Sequence, residues 1–171
     1  MINLLMMSLL AGGPVLESAL VLDPPKYDER ISHAACGESV IVVRVRNDRW
    51  GAAPTLTEAS IGGVQLAAPE DLPETGLLSQ FRQIEGAEIE CERDTGIPHI
   101  TFKGFRKQDE EWRKASEACM KRRGVWLNDR WERYEAIEGK LRRASTLTLG
   151  CAGGEPGSPE SVETQQEGSD Q

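Results

Sequence analysis

The chain has 171 residues, which is enough for one domain with flanking segments. Apolar residues make up 39% and charged residues 28%, a balance that forces neither a disordered nor a membrane class. The net charge is −8 over residues 1–102, +5 over 103–143 and −5 over 144–171. Acidic segments on both sides of a basic one argue against a nucleic-acid partner, because the phosphate backbone rewards a concentrated positive field.

Residues 1–22 carry a single charge and contain an apolar stretch of signal-peptide length. They predict export, with a periplasmic or secreted location. No Lys or Arg precedes the stretch, and Pro14 follows its small-residue site, so the alternative is an uncleaved apolar N-terminal segment. Membrane contact is expected only through such an uncleaved segment. A cytoplasmic location is the alternative if neither form of export applies.

Residues 23–35 open with a polar, proline-marked run and predict a linker before a domain at 36–151. Residues 40–45 are rich in β-branched side chains, which predicts a strand buried on both faces. Residues 57–66 predict a weak strand, or a hairpin around Gly62-Gly63.

A hairpin is the clearest β signal. In residues 87–93 glutamates alternate with apolar residues, so Cys91 is expected to point inward. In residues 99–105 the apolar Ile100 and Phe102 alternate with Thr101 and Lys103. Residues 94–98 are of types that favour a turn between the two strands.

From residue 107 the apolar spacing becomes helical. Trp112, Ala115 and Cys119 recur on one face, and Gly124 stands where a helix would end. A second helix is predicted after it; its stripe comprises Leu127, Trp131, Tyr134, Ile137 or Glu138, and Leu141. Residues 146–149 are expected to add an edge strand.

The predicted fold class is α+β: a small antiparallel or mixed sheet packed by one or two C-terminal helices. Residues 152–171 contain one Val and no aromatic residue. They cannot bury enough apolar surface to offset their ordering entropy, and are expected to form a disordered acidic tail.

The cysteines Cys36, Cys91, Cys119 and Cys151 are too far apart for zinc spacing, so no metal site and no cofactor are predicted. Cys36 is not a lipid-bearing residue, because a polar stretch precedes it. An even number of cysteines in an exported domain predicts two disulfides. We favour Cys91 with Cys119 and Cys36 with Cys151, one of three connectivities among which the sequence cannot choose.

No phosphate loop, nucleophile elbow or metal-binding helix is present. Asp94-Thr95-Gly96 matches the aspartic-protease tripeptide, but a polar hairpin turn explains it without catalysis. The sequence therefore favours a non-enzymatic protein. The alternative is a small hydrolase with His33 or His99 as its base, although His99 is expected on an exposed strand face.

A basic segment supplies the candidate interaction face, which comprises Lys121, Arg122, Arg123, Trp126 and Trp131. It would suit an anionic surface or a partner groove. The competing interpretation is that the aromatic residues pack on the sheet and the charges are solvated.

The predicted function is a disulfide-stabilised exported domain that binds a protein or envelope component. The oligomeric state is not predicted.

Three features together carry a resemblance: the apolar start, the four cysteines, and Cys36-Gly37 leading into Ile41-Val42-Val43. In these the chain resembles small uncharacterised periplasmic or secreted proteins of Gram-negative bacteria. The resemblance implies no particular activity, fold or ligand.

Overall fold

The structure is a computed structural model that describes residues 27–49, 51–69, 72 and 76–153, and the backbone of 163–165. The predicted leader at 1–22 and most of the predicted tail lie outside the described residues. Among the residues described, none forms a helix with the length and apolar character needed to cross a membrane.

A four-stranded antiparallel sheet forms the first layer, in the order β1-β2-β3-β4. Its strands are β1 (Tyr27–Cys36), β2 (Ser39–Asp48), β3 (Thr55–Ile61) and β4 (Val64–Gln65). The hairpin expected around Gly62-Gly63 is confirmed, and both glycines have the positive φ that a tight turn requires. β1 occupies residues 27–35 of the segment expected to be a linker, because Tyr27–Cys36 pair along their whole length with β2.

β2 confirms the strand predicted at residues 40–45, but not its burial on both faces. Ile41, Val43 and Val45 are buried, whereas Val40 is 50% exposed. Only one face of the first sheet meets a second layer, so the strand alternates between core and solvent.

A five-stranded antiparallel sheet forms the second layer, in the order β11-β9-β8-β6-β5. Its strands are β5 (Phe81–Cys91), β6 (Pro98–Arg106), β8 (Asp129–Ile137), β9 (Lys140–Thr148) and β11 (Glu163–Gln165). The predicted hairpin is confirmed as β5 and β6, joined by the turn at residues 92–97.

The single α-helix of the described residues, α1 (Glu110–Lys121), lies between β6 and β8 in the chain. Asp109 caps its first turn by accepting a hydrogen bond from the Trp112 backbone N–H at 2.7 Å. A two-stranded ribbon of β7 (Val125–Trp126) and β10 (Cys151–Ala152) follows it. The first of the two predicted helices is therefore confirmed.

The α+β prediction, with C-terminal helices packed on a sheet, is wrong. Residues 125–126, 129–137 and 140–143 lie in strands rather than in the second helix, and the one helix of the described residues lies in the middle of the chain. Glu138 and Gly139 both adopt positive φ, which makes them the tight turn between β8 and β9. The helical stripe was misleading because the inward positions of β8 include the polar residues Arg130 and Glu132, which hide the strand alternation.

Disorder of the tail stays a prediction, because most of residues 152–171 lie outside the described residues. Ala152 belongs to β10, and residues 163–165 pair with β9 as β11.

One hydrophobic core lies between the two sheets. Phe81, Ile84, Ile100 and Phe102 of the second sheet pack towards the buried face of β2, and the Tyr134 ring meets Phe102 edge-to-face at 5.8 Å.

Hydrogen bonds link the two layers of the sandwich at both of its margins. At one margin, the buried amide of Asn47 donates to the Ile84 carbonyl at 2.7 Å and accepts from its N–H at 2.8 Å. At the other, Ala67 exchanges backbone hydrogen bonds with Gly139 and Leu141. These links protect the sheet edges, which would otherwise offer unpaired backbone groups.

Candidate functional site

A cleft of about 490 Å³ opens where the second sheet extends beyond the core and meets α1. We call it the arginine cleft. Its sheet wall is formed by polar residues of β6, β8 and β9: Arg106, Arg130, Arg143, Thr146 and Thr148. Its helix wall is formed by Glu111, Ala115 and Ala118 of α1 and by Arg122, the C-cap of that helix. Trp126 of β7 and residues 149–151 close the third side.

Charge on the cleft is predominantly positive. Four arginines line it; Glu111 forms an ion pair with Arg106, and Glu132 forms one with Arg130. The Arg106 Nη2 lies 3.3 Å from the Glu111 Oε2, and the Glu111 side chain is 85% exposed at the rim. The exposed Arg122 makes no ion pair or hydrogen bond with another side chain in the part of the chain that the structure describes. Such an excess of guanidinium groups favours an anion.

The buried carboxylate of Glu132 organises the sheet wall. Its side chain is completely buried, and its Oε1 accepts hydrogen bonds from Arg130 Nε at 2.8 Å and Nη2 at 2.6 Å. Its Oε2 accepts from the Tyr134 hydroxyl at 2.7 Å. A buried charge is tolerated only when it is paired and hydrogen-bonded, as this one is.

Arg130 is held in one orientation by these bonds. Its Nη1 donates to the Thr148 hydroxyl at 2.9 Å, and its guanidinium carbon lies 5.9 Å from the centre of the Phe81 ring. A guanidinium has five N–H donors, and three are used in the bonds to Glu132 and Thr148. Two donors on a fixed group therefore have no acceptor among the described residues.

Tyr134 stays neutral beneath this wall. Burial raises the pKa of its phenol well above the ordinary value of 10.0, the negative charge of Glu132 raises the pKa further, and Arg143 opposes the shift. The phenol is therefore a permanent hydrogen-bond donor to Glu132 over the physiological pH range.

The helix wall is anchored by the Cys119–Cys151 disulfide, which joins the last turn of α1 to β10. Gly124 makes room for this bridge. A Cβ at that position would lie 2.4 Å from the Cys151 Sγ and 2.8 Å from the Cys119 Sγ. The chain leaves α1 through Arg123, which has a positive φ of 60°.

The second disulfide, Cys36–Cys91, joins β1 to β5 at the far end of the sandwich. The prediction of two disulfides is thus confirmed, and all four cysteines are bridged. The favoured pairing of Cys91 with Cys119 and Cys36 with Cys151 is wrong. It assumed that α1 covers the sheet beside Cys91, whereas the neighbour of β5 there is β1.

The predicted interaction face is only partly brought together. Arg122 and Trp126 both line the cleft. Lys121 and Arg123 are exposed at the end of α1 but lie outside the lining, and Trp131 is on the opposite face of the second sheet, between Lys103 and Leu147.

Most of the cleft was missed by sequence reasoning: Arg106, Arg130, Arg143, Thr146, Thr148 and the buried Glu132. A strand reading of residues 129–137 would have placed Arg130 and Glu132 on one face, next to Tyr134. Arg106 and Arg143 are separated in sequence and meet the others only through the strand order β9-β8-β6.

The two histidines lie on different sheets. His33 is exposed on β1, opposite Val42. His99 is buried rather than exposed as expected, and its Nδ1 lies 3.9 Å from a Glu135 carboxylate oxygen. Among the described residues, no hydrogen bond links either histidine to a Ser, Cys or Asp that could act as a nucleophile.

Neither the Asp94-Thr95-Gly96 tripeptide nor a group of metal-ligating side chains forms a catalytic site in the described residues. Asp94-Thr95-Gly96 lies exposed in the turn between β5 and β6, where the Thr95 hydroxyl donates to Glu92. Within the described ranges, no group of three or more His, Cys, Asp or Glu side chains is arranged to hold a metal ion.

No family model, no curated protein and no solved structure matches the chain.

Proposed function

We propose that the protein is a non-enzymatic, disulfide-stabilised domain of an oxidising compartment, periplasmic or extracellular, that binds an anionic group of a protein or envelope component in the arginine cleft. One observation carries the proposal: three arginines from three strands and a fourth at the C-cap of α1 converge on one cleft. Convergent polar groups in a concave site are the usual mark of a binding site.

The buried Glu132 supports a binding role rather than a purely structural one. A buried ion pair is a poor way to stabilise a fold, because the cost of desolvating both charges offsets their attraction. Here the pair fixes the direction of the Arg130 guanidinium at the cleft wall. A fixed donor loses little side-chain entropy when an anion binds.

The compartment is supported by the cysteines. All four are in disulfides, which persist in oxidising environments and are rare in the reducing cytosol. The apolar residues 1–22 agree with export as a signal peptide or as an uncleaved segment.

Anion binding is tested by thermal unfolding of the oxidised full chain in sodium phosphate and in sodium chloride of equal ionic strength. A ligand that binds only the folded state raises the unfolding temperature. We expect phosphate to raise it in the native chain and in Lys121→Ala, and to lose the specific part of this effect in Arg122→Ala. The two residues are adjacent and exposed, but only Arg122 lines the cleft. Equal shifts in all three chains would contradict the proposal.

The compartment is tested by the intact mass of the protein from each cell fraction of its native host, alkylated before and after reduction. We expect an exported chain with no thiol available before reduction. A cytoplasmic chain with four alkylatable cysteines would contradict the assignment.

A further inference from the structure

We propose that the arginine cleft recognises a compact organic anion, in which a carboxylate or phosphoryl group is attached to an apolar or aromatic body. The inference rests on the proposed function and specifies the ligand chemistry of the same site. It is drawn from the unequal character of the two walls.

The sheet wall is suited to the anionic group. The Arg106 and Arg130 side chains are 21% and 15% exposed, so they are largely desolvated while still reaching the cleft. Both are paired with carboxylates, the Thr148 hydroxyl accepts a hydrogen bond from Arg130, and Thr146 also lines the cleft. Guanidinium and hydroxyl donors together match the oxygens of a carboxylate or a phosphoryl group. Glu111 does not oppose this, because its carboxylate is at the rim and paired with Arg106.

The opposite side of the cleft is suited to an apolar body. It presents the apolar residues Ala115, Ala118, Trp126 and Leu149, beside the exposed side chains of Glu111 and Arg122, which also line the cleft. The Trp126 ring is oriented by an edge-to-face contact with Trp112, with ring centres 6.3 Å apart. An inorganic anion would leave this apolar surface in contact with water, whereas an apolar or aromatic body would cover it.

The size of the cleft limits the ligand. Its volume of about 490 Å³ is in the range of small-molecule sites, roughly 300–1,000 Å³, and is too small for a folded domain. The bound part of any larger envelope component is therefore a head group with its first apolar or ring moiety.

The test is isothermal titration of the oxidised full chain with four probes at equal ionic strength: phenyl phosphate, benzoate, inorganic phosphate and phenol. We expect phenyl phosphate or benzoate to bind at least about tenfold more tightly than inorganic phosphate, with no measurable binding of phenol; tenfold corresponds to about 1.4 kcal/mol. The stronger of the two organic anions identifies the group as phosphoryl or carboxylate.

The outcomes separate the inference from the proposed function. If inorganic phosphate binds as tightly as phenyl phosphate, the cleft recognises the anion alone, and the inference is overturned while the proposed function stands. If phenol binds as well as the anions, or if no probe binds, both are overturned.

A cleft-filling variant locates the site. Ala118→Trp places a large ring on an exposed helical position that lines the cleft, and is expected to abolish binding of the preferred probe. Met120→Trp is the control, because Met120 is 69% exposed on the same helix and lies outside the lining. Equal affinity in the two variants would place the binding elsewhere and overturn the inference.

Discussion

At the scale of single residues, Glu132 contributes both to the stability of the fold and to the geometry of the arginine cleft. Its side chain is completely buried, and it contacts both Arg130 in the cleft wall and Tyr134 in the core. The hydrogen bonds around it are charge-assisted, which makes them shorter and stronger than neutral ones. Removing its carboxylate would leave a guanidinium and a phenol without their main acceptor.

Glu132→Ala is expected to lower the free energy of unfolding by about 3–5 kcal/mol, because it leaves one partner of a buried pair uncompensated. Urea unfolding of the oxidised protein measures the change. Glu88→Ala is the control: its ion pair with Lys103 is on the exposed face, and its loss is expected to cost less than about 1 kcal/mol. Equal losses in the two variants would show that the Glu132 network contributes no more than a surface pair.

Tyr134 is expected to make stability fall at alkaline pH. Its pKa is raised in the folded protein above the ordinary value of 10.0, so above that pH the unfolded chain releases a proton that the folded chain retains. The stability advantage of the native chain over Tyr134→Phe is therefore expected to shrink by up to about 1.4 kcal/mol for each pH unit above the ordinary pKa. Urea unfolding of both chains at about pH 9 and about pH 11 tests this. A constant difference would refute it.

At the scale of elements, the β5–β6 hairpin depends on a close backbone approach. The pairing register shifts twice along β5, on either side of the Ile84–Gly104 pair. A Cβ at Gly104 would lie 2.1 Å from the Gln83 carbonyl oxygen and 2.9 Å from the Ile84 Cα. The absence of a side chain there lets the irregular part of β5 pack against β6.

Gly104→Ala is accordingly expected to destabilise the protein by about 1–3 kcal/mol or more, because the backbone must move to relieve the contact. Gly86→Ala is the matched control on the neighbouring strand, since its added Cβ meets no atom within 4 Å. That variant is expected to keep or slightly raise the free energy of unfolding, because it lowers the entropy of the unfolded chain. Similar losses in both variants would contradict the proposed role of the close approach.

The spacing of apolar residues within each element decides whether the sequence predicts that element correctly. β2 and the β5–β6 hairpin have apolar core-facing residues that alternate with other residues, and α1 has Trp112, Ala115 and Cys119 on one face, so their periods can be read directly. β8 and β9 do not, because Arg130, Glu132, Arg143, Thr146 and Thr148 occupy inward positions at the cleft. The polar residues that make the candidate site are thus the ones that hide its strands. Arg122 and Trp126 were found because they lie in one short basic and aromatic segment.

At the scale of the whole molecule, the two disulfides have separate roles. Cys36–Cys91 closes the margin between the two sheets, whereas Cys119–Cys151 fastens the helix wall of the cleft. Their sequence separations of 55 and 32 residues are large enough for each to constrain the unfolded chain substantially.

Replacing either cysteine pair by serine is expected to lower the free energy of unfolding by about 2–4 kcal/mol. Only the Cys119→Ser/Cys151→Ser variant is expected also to weaken binding of the preferred organic anion, because α1 is then no longer fixed to β10. Titration calorimetry under conditions where both variants remain folded separates the two effects. Equal affinities would mean that the bridge stabilises the fold without shaping the cleft.

Mapping of backbone amide chemical shifts of the oxidised full chain during titration with phenyl phosphate shows whether the arginine cleft binds organic anions. We expect the largest shifts in residues 115–126 and 143–151, on the two walls of the cleft. Shifts concentrated on β1–β4, or spread evenly over the surface, would contradict this expectation.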